Sequence, residues 1–180
     1  MKSVRLIVGA CVAGLLVVAT ARAQEPAKPG PEHARLKELV GTWDATVKMM
    51  GQESKATCTY RMGLGDLWLL SNFNGEFGGM KFTGHGVDGY DAAKKKYVGF
   101  WVDSMSTSMM QMEGEYNAEK KVLTMSGDSV GPDGKPVKMK TTSEMPDKDT
   151  IVFKMFMGGT PEPMMTINYK RKAQEKQQRN

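Results

Sequence analysis

Gly41-Thr42-Trp43-Asp44-Ala45-Thr46-Val47-Lys48-Met49-Met50-Gly51-Gln52 runs directly into Glu53-Ser54-Lys55-Ala56-Thr57-Cys58-Thr59-Tyr60-Arg61-Met62-Gly63-Leu64, and these two runs decide the fold. In the first, Trp43, Ala45, Val47 and Met49 share one face, with Asp44, Thr46 and Lys48 opposite. In the second, Ala56, Cys58, Tyr60, Met62 and Leu64 alternate with Lys55, Thr57, Thr59 and Arg61. Period two with one polar face is the mark of an antiparallel sheet that turns one side to water. Gly51-Gln52 supplies a turn between the two strands.

The same rhythm continues in both directions. Candidate strands are 42–50, 54–64, 67–77, 79–90, 96–104, 108–117, 121–130, 136–145, 150–157 and 163–171. The links between them hold Gly, Pro, Asn or Asp, the residues that supply turn geometry. Val137, Met139, Thr141 and Ser143 repeat the alternation against Lys138, Lys140, Thr142 and Glu144. About ten strands with short links curl, and closure removes the exposed edges. Glycines inside the strands, among them Gly84, Gly86, Gly99, Gly114 and Gly127, permit the bends that a curved wall needs. The expectation is all-β: a single antiparallel up-and-down barrel of about ten strands, with a two-sheet sandwich as the competing arrangement. Before the first strand, Pro31 suits a first helical turn. Leu36, Leu39 and Val40 fall at helical spacing, so a short helix is expected over 32–40, ending at Gly41.

The ends of the chain explain its charge. The chain has 180 residues, a formal net charge of +5 and 16 methionines. Lys2 and Arg5, an uncharged apolar stretch over 6–20, and Ala21-Arg22-Ala23 read together as a secretory signal peptide cleaved after Ala23. The apolar stretch is too short to span a bilayer, so no transmembrane segment is expected after cleavage. A lipobox-like Val8-Gly9-Ala10-Cys11 is the minor alternative. Losing Lys2, Arg5 and Arg22 lowers the charge from +5 to +2. The tail from Lys170 to Asn180 carries five cations against Glu175, which leaves the body slightly acidic. A nucleic-acid groove would need clustered cations on the folded surface, and none is expected here. The organisation is a signal peptide over 1–23, a Pro-rich leader over 24–31, the barrel over 32–172 and a polar basic tail over 173–180. The location expected from this leader is exported, periplasmic or secreted.

A helix feeding Gly41-Thr42-Trp43 resembles the G-x-W opening of lipocalin-like (calycin) barrels. Pro29-Gly30-Pro31-Glu32-His33, Leu39-Val40-Gly41-Thr42-Trp43-Asp44, Gly84-His85-Gly86-Val87-Asp88-Gly89-Tyr90-Asp91 and the run from Tyr97 through Trp101-Val102-Asp103 to Thr107 resemble the domain of unknown function 1579 family of bacterial secreted proteins. With the β pattern, the resemblance covers nearly all of 29–172. It implies a calycin-like barrel and an exported location, and no activity. In calycins the Trp packs across the closed end, which makes Trp43 a packing residue.

Chemically suggestive residues are few. His33 and His85 are the only histidines, and no zinc spacing surrounds them. His85 as a haem ligand is the weaker reading beside a structural or exposed one. Cys58 stands alone after cleavage and reads as a small buried hydrophobe. Gly84-x-Gly86-x-x-Gly89 spells a dinucleotide fingerprint, but no helix follows it, so it fails the context test. Ser104, Ser106 and Ser108 lack a nucleophile elbow. Asp88, Asp91 and Asp103 are a candidate Ca²⁺ or acid–base set without the full loop pattern, and Asp91 suits turn capping. Asp103 shares phase with Tyr97, Gly99 and Trp101. If buried it needs a partner, and Arg61 is the nearest suitable type.

The expected function is binding of a small apolar or amphipathic molecule inside the barrel or at its mouth. Trp101, Met110, Met112 and Tyr116 are the expected apolar lining, with Arg61 and Asp103 as the orienting polar pair. No cofactor or metal is expected. The alternatives are an enzyme using Asp103, His85 or Arg61, a Met-rich Cu(I)-binding protein, and a packed barrel that serves only as an interaction module.

Overall fold

The computed structural model describes residues 26–131 and 134–173. The expected signal peptide, most of the expected tail and the expected turn at Pro132-Asp133 lie outside the described residues. One helix, α1 (Glu32–Lys37), precedes ten strands. They are β1 (Gly41–Met49), β2 (Gln52–Gly63), β3 (Trp68–Phe77), β4 (Met80–Asp91), β5 (Lys96–Asp103), β6 (Met110–Asn117), β7 (Val122–Val130), β8 (Pro136–Asp147), β9 (Thr150–Met157) and β10 (Met165–Arg171). All pairings are antiparallel between chain neighbours, and β1 pairs with β10 to close the ring. The closing seam runs from Trp43 opposite Arg171 to Met49 opposite Met165. Closure excludes the sandwich and leaves no unpaired edge.

Several boundaries differ from the sequence expectation, each for a local reason. The helix stops at Lys37, because Leu39 and Val40 donate to the carbonyls three residues back and tighten the chain into turns. The first hairpin turns at Met50-Gly51, with φ of 51° and 78°, rather than at Gly51-Gln52. A two-residue turn with both φ positive matches the twist of the flanking strands. Leu64 does not face inward: at φ 51° it belongs to the turn after β2 and is 71% exposed. β6 starts two residues later than expected, since the Ser108 amide donates to Ser106 Oγ at 3.0 Å instead of to a neighbouring strand.

Alternation sends one face of every strand inward, and the buried side chains gather in two clusters. Trp43, Val47, Cys58, Phe73, Ile151 and Ile167 belong to one cluster. Leu36, Leu69, Tyr97, Met112, Met125 and Met139 belong to the other. Leu36 is contributed by α1, which covers the end of the barrel where β1, β3 and β5 begin. Tyr97 Oη donates to the Glu32 carbonyl at 3.1 Å, and Trp43 Nε1 donates to that of Leu39 at 2.9 Å. Those bonds satisfy buried polar atoms and tie the helix to the wall. The opposite end is the mouth, ringed by the turns after β1, β3, β5, β7 and β9.

Candidate binding site inside the barrel

From the mouth inward, β4 and β5 build one wall of the interior. Trp101 on β5 sits in register with Gly86 on β4 and lies across the bare backbone of Gly84 and Gly86. A Cβ on Gly84 would stand 2.6 Å from Trp101 Cη2, so this position has room only for hydrogen. Gly89 does the same on the outer face for Trp68, whose Cζ3 would be 2.6 Å from an added Cβ. The G-x-G-x-x-G run is therefore a set of seats for indole rings.

Trp101 is held by Asp103. Its Nε1 donates to Asp103 Oδ2 at 2.8 Å, and Oδ1 accepts the Met105 amide at 2.9 Å. The expected Arg61–Asp103 pair is not formed. Arg61 is exposed on the outer face of β2, opposite Leu70, because its phase in the strand is that of Lys55, Thr57 and Thr59. Indole and main-chain donors take the partner role at Asp103. His85 is also exposed on the outside, so Asp103, His85 and Arg61 do not converge.

The other expected lining residues face inward. Met110 and Met112 sit opposite Trp101 and Gly99 across β6. Met112 is buried, and Met110 is half-buried. Tyr116 lies towards the helix end, where the Arg35 guanidinium stacks 5.1 Å from its ring centroid. Arg35 is 7% exposed, donates to Met145 Sδ at 3.1 Å and faces Glu38 at 3.6 Å. Its Nε and Nη2 are sealed from solvent without a hydrogen-bond acceptor.

One rung deeper than Trp101, Asp88 points inward from β4 over Gly99 of β5. A Cβ on Gly99 would stand 2.5 Å from Asp88 Oδ1, so the glycine makes room for the carboxyl. Among the described residues, Asp88 has no hydrogen bond or ion pair. Burial alone pushes its carboxyl up to about 7. The neighbouring Tyr60 phenol and Cys58 thiol are pushed up too, the thiol to about 12, again chiefly by burial. Cys58 is 1% exposed and unreactive by that measure.

Sequence reasoning considered Asp88 only within a carboxylate trio. The structure separates the three, with Asp88 inside, Asp103 at the mouth and Asp91 in the turn after β4, accepting the Ala93 and Lys94 amides at 2.9 and 3.0 Å. The signal was present in the phase of β4, where Gly84, Gly86, Asp88 and Tyr90 share a side. His33, in the first turn of α1, is buried, accepts the Gly30 amide at its Nδ1 at 3.0 Å and meets Tyr90 edge-on. Among the described residues, no three His, Cys, Asp or Glu side chains gather as a metal site.

The outer wall offers a shallow groove of about 740 Å³, lined by residues that include Gln111, Glu113, Thr124 and Lys138. At its side Lys94 and Lys96 pair with Glu113 at 2.9 and 2.6 Å, holding that carboxyl down at about 2. This is a solvated ion-pair patch and contributes little to stability.

The mouth is rich in thioethers that sequence distance hides. Met49, Met165 and Met155 lie side by side on β1, β10 and β9. Met139 faces Met157 across β8 and β9. Met50, Met105 and Met109 in the turns and Met80 at the start of β4 are exposed around them.

A ten-strand antiparallel ring, plugged at one end by a helix and with the Asp88 carboxyl turned inward, is a closed β-barrel. The chain belongs to the family described as a protein of unknown function, DUF1579, which matches residues 28–171. No curated protein matches it. Among solved structures it is similar to a redesigned beta barrel at 15% identity and a TM-score of 0.42, covering 77% of this chain and 96% of that one.

Proposed function

We propose that the barrel binds a small apolar or amphipathic molecule in its interior, entering through the mouth. The observation that carries this reading is the incomplete burial of inward-facing side chains. Tyr60, Trp101, Tyr116, Phe153 and Met155 point inward in a closed ring yet remain only half-buried. A packed centre, such as an interaction module would have, covers them. The lining is aromatic rings and methionines, which adapt to irregular apolar shapes. The leader over 1–23, with its Ala21-Arg22-Ala23 exit, supports export of the mature chain.

Native mass spectrometry of the chain recovered from the exported fraction of expressing cells tests this. A reproducible adduct, replaced by an added alkyl probe, is expected. A uniform ligand-free mass that takes up no probe overturns it.

A second reading is favoured by one observation, the Met49–Met165–Met155 row. Thioethers suit Cu(I). Anaerobic titration that leaves the protein metal-free removes this reading.

A further inference from the structure

We propose that the barrel's ligand is a lipophilic amine, its ammonium held by the Asp88 carboxylate and its apolar body directed towards the methionine-lined mouth. This deepens the interior-binding reading above and rests on it.

The argument starts from what Asp88 lacks. A carboxylate turned into an apolar interior is costly unless something donates to it. The groups around Asp88 are Leu69 opposite it on β3, Gly99 on β5, Tyr60 and Cys58 on β2, and the Met125 methyl from β7. None of them is a cation. Arg61 faces outward, and Arg35 is committed to Tyr116 and Met145 at the helix end. The site therefore supplies an acceptor and leaves the donor to whatever enters.

The surroundings narrow the donor's charge. Tyr60 stands beside the carboxylate, and Trp101 lies one rung nearer the mouth. Phe73 is in edge contact with Trp101 at 6.3 Å and with Phe82 at 5.8 Å, and Phe82 with Phe77 at 5.0 Å. Ring faces and a carboxylate together favour an ammonium, which gains from both. A hydroxyl finds the same acceptor without the charge. A fatty carboxylate meets a like charge at Asp88. The two unpartnered Arg35 nitrogens are sealed from solvent at the helix end, away from Asp88.

The fit also explains Gly99. An alanine there would press on Asp88 Oδ1 and displace the carboxyl. Besides any bend it allows in the wall, glycine at this position leaves the space that the carboxyl occupies.

Dodecylamine, dodecanol and dodecanoate share one chain and differ only at the head. Their binding to the full mature chain at pH 7.5, read by calorimetry and by tryptophan fluorescence, tests the proposal. The amine is expected to bind about tenfold or more tighter than the alcohol, and the acid weakest. Asp88→Asn keeps the shape and removes the charge, and should abolish the amine's advantage over the alcohol. Gly99→Ala, folded by circular dichroism, should weaken the amine selectively. Dodecanoate binding as tightly as the amine, or an amine preference that survives Asp88→Asn, overturns the amine assignment and leaves interior binding standing. Failure of all three probes to bind overturns interior binding itself, and this inference with it.

Discussion

The guanidinium of Arg171 lies over the Trp43 ring, its Cζ 4.0 Å from the centroid, and joins the last strand to the first at the helix-capped end. Its Nη1 donates to the Val40 carbonyl at 2.6 Å, its Nη2 to that of Glu38 at 2.7 Å and its Nε to that of Lys148 at 3.0 Å. One side chain thus satisfies carbonyls at the end of α1 and covers a tryptophan that is fully buried. Arg171→Ala removes the stacking and three charge-assisted bonds together, and should cost about 2–4 kcal/mol in denaturant unfolding. Arg171→Lys keeps the charge but not the planar fork, and should recover less than half of that loss. An unchanged midpoint for both variants would show that the barrel closes without this latch.

Met50 adopts a left-handed conformation at the tip of the first hairpin and is 87% exposed, so it gains no packing in return. Met50→Asn or Met50→Gly should stabilise the fold by roughly 0.5–1 kcal/mol, seen as a higher thermal midpoint. A lower midpoint would indicate that the Met50 side chain makes contacts this arrangement does not show.

Gly84 and Trp101 are coupled by contact. Gly84→Ala forces its new methyl into the indole and should destabilise by about 1–3 kcal/mol while shifting the Trp101 emission. In the Trp101→Leu background the same change should cost much less, so a double-mutant cycle would show strong coupling. Additive losses would contradict the seat.

The raised Asp88 carboxyl makes stability depend on pH. Its folded value of about 7 lies above the unfolded value near 4, so the native state binds the extra proton between them. Stability linked to this group is complete below the unfolded value and is lost as pH rises through about 7. Asp88→Asn should remove that part of the slope and raise the stability of the ligand-free protein at pH 8 by roughly 1–3 kcal/mol. Glu113, held down at about 2, acts oppositely, contributing above its unfolded value and losing that contribution as pH falls towards 2. It is common to both proteins, so the difference between their pH profiles isolates Asp88. Parallel profiles would mean that Asp88 is ionised and solvated in the native state.

How much of this was legible in the chain follows from the range of each interaction. Strand existence and phase are local. The alternation of Trp43, Ala45, Val47 and Met49, and the turn residues between runs, already imply ten antiparallel strands and name Trp101, Met110, Met112 and Tyr116 as inward. The same local phase places Arg61 outside; pairing it with Asp103 followed charge type and set strand phase aside. Turn geometry shifted by single residues, as at Met50, because backbone angles depend on how two strands align and not on which residue prefers the bend.

Partners across the barrel were decided only by closure. Arg171 reaches Trp43 because the ring joins strands far apart in the chain. Met49, Met165 and Met155 become neighbours for the same reason. Asp88 stands without a donor because every nearby cation is turned outward or engaged elsewhere, a property of three dimensions that no run of residues contains. The sequence by itself determined the wall of this protein, since a strand's two faces are written in consecutive residues. The tertiary structure decided what the wall encloses, since an interior forms only where distant strands are brought face to face.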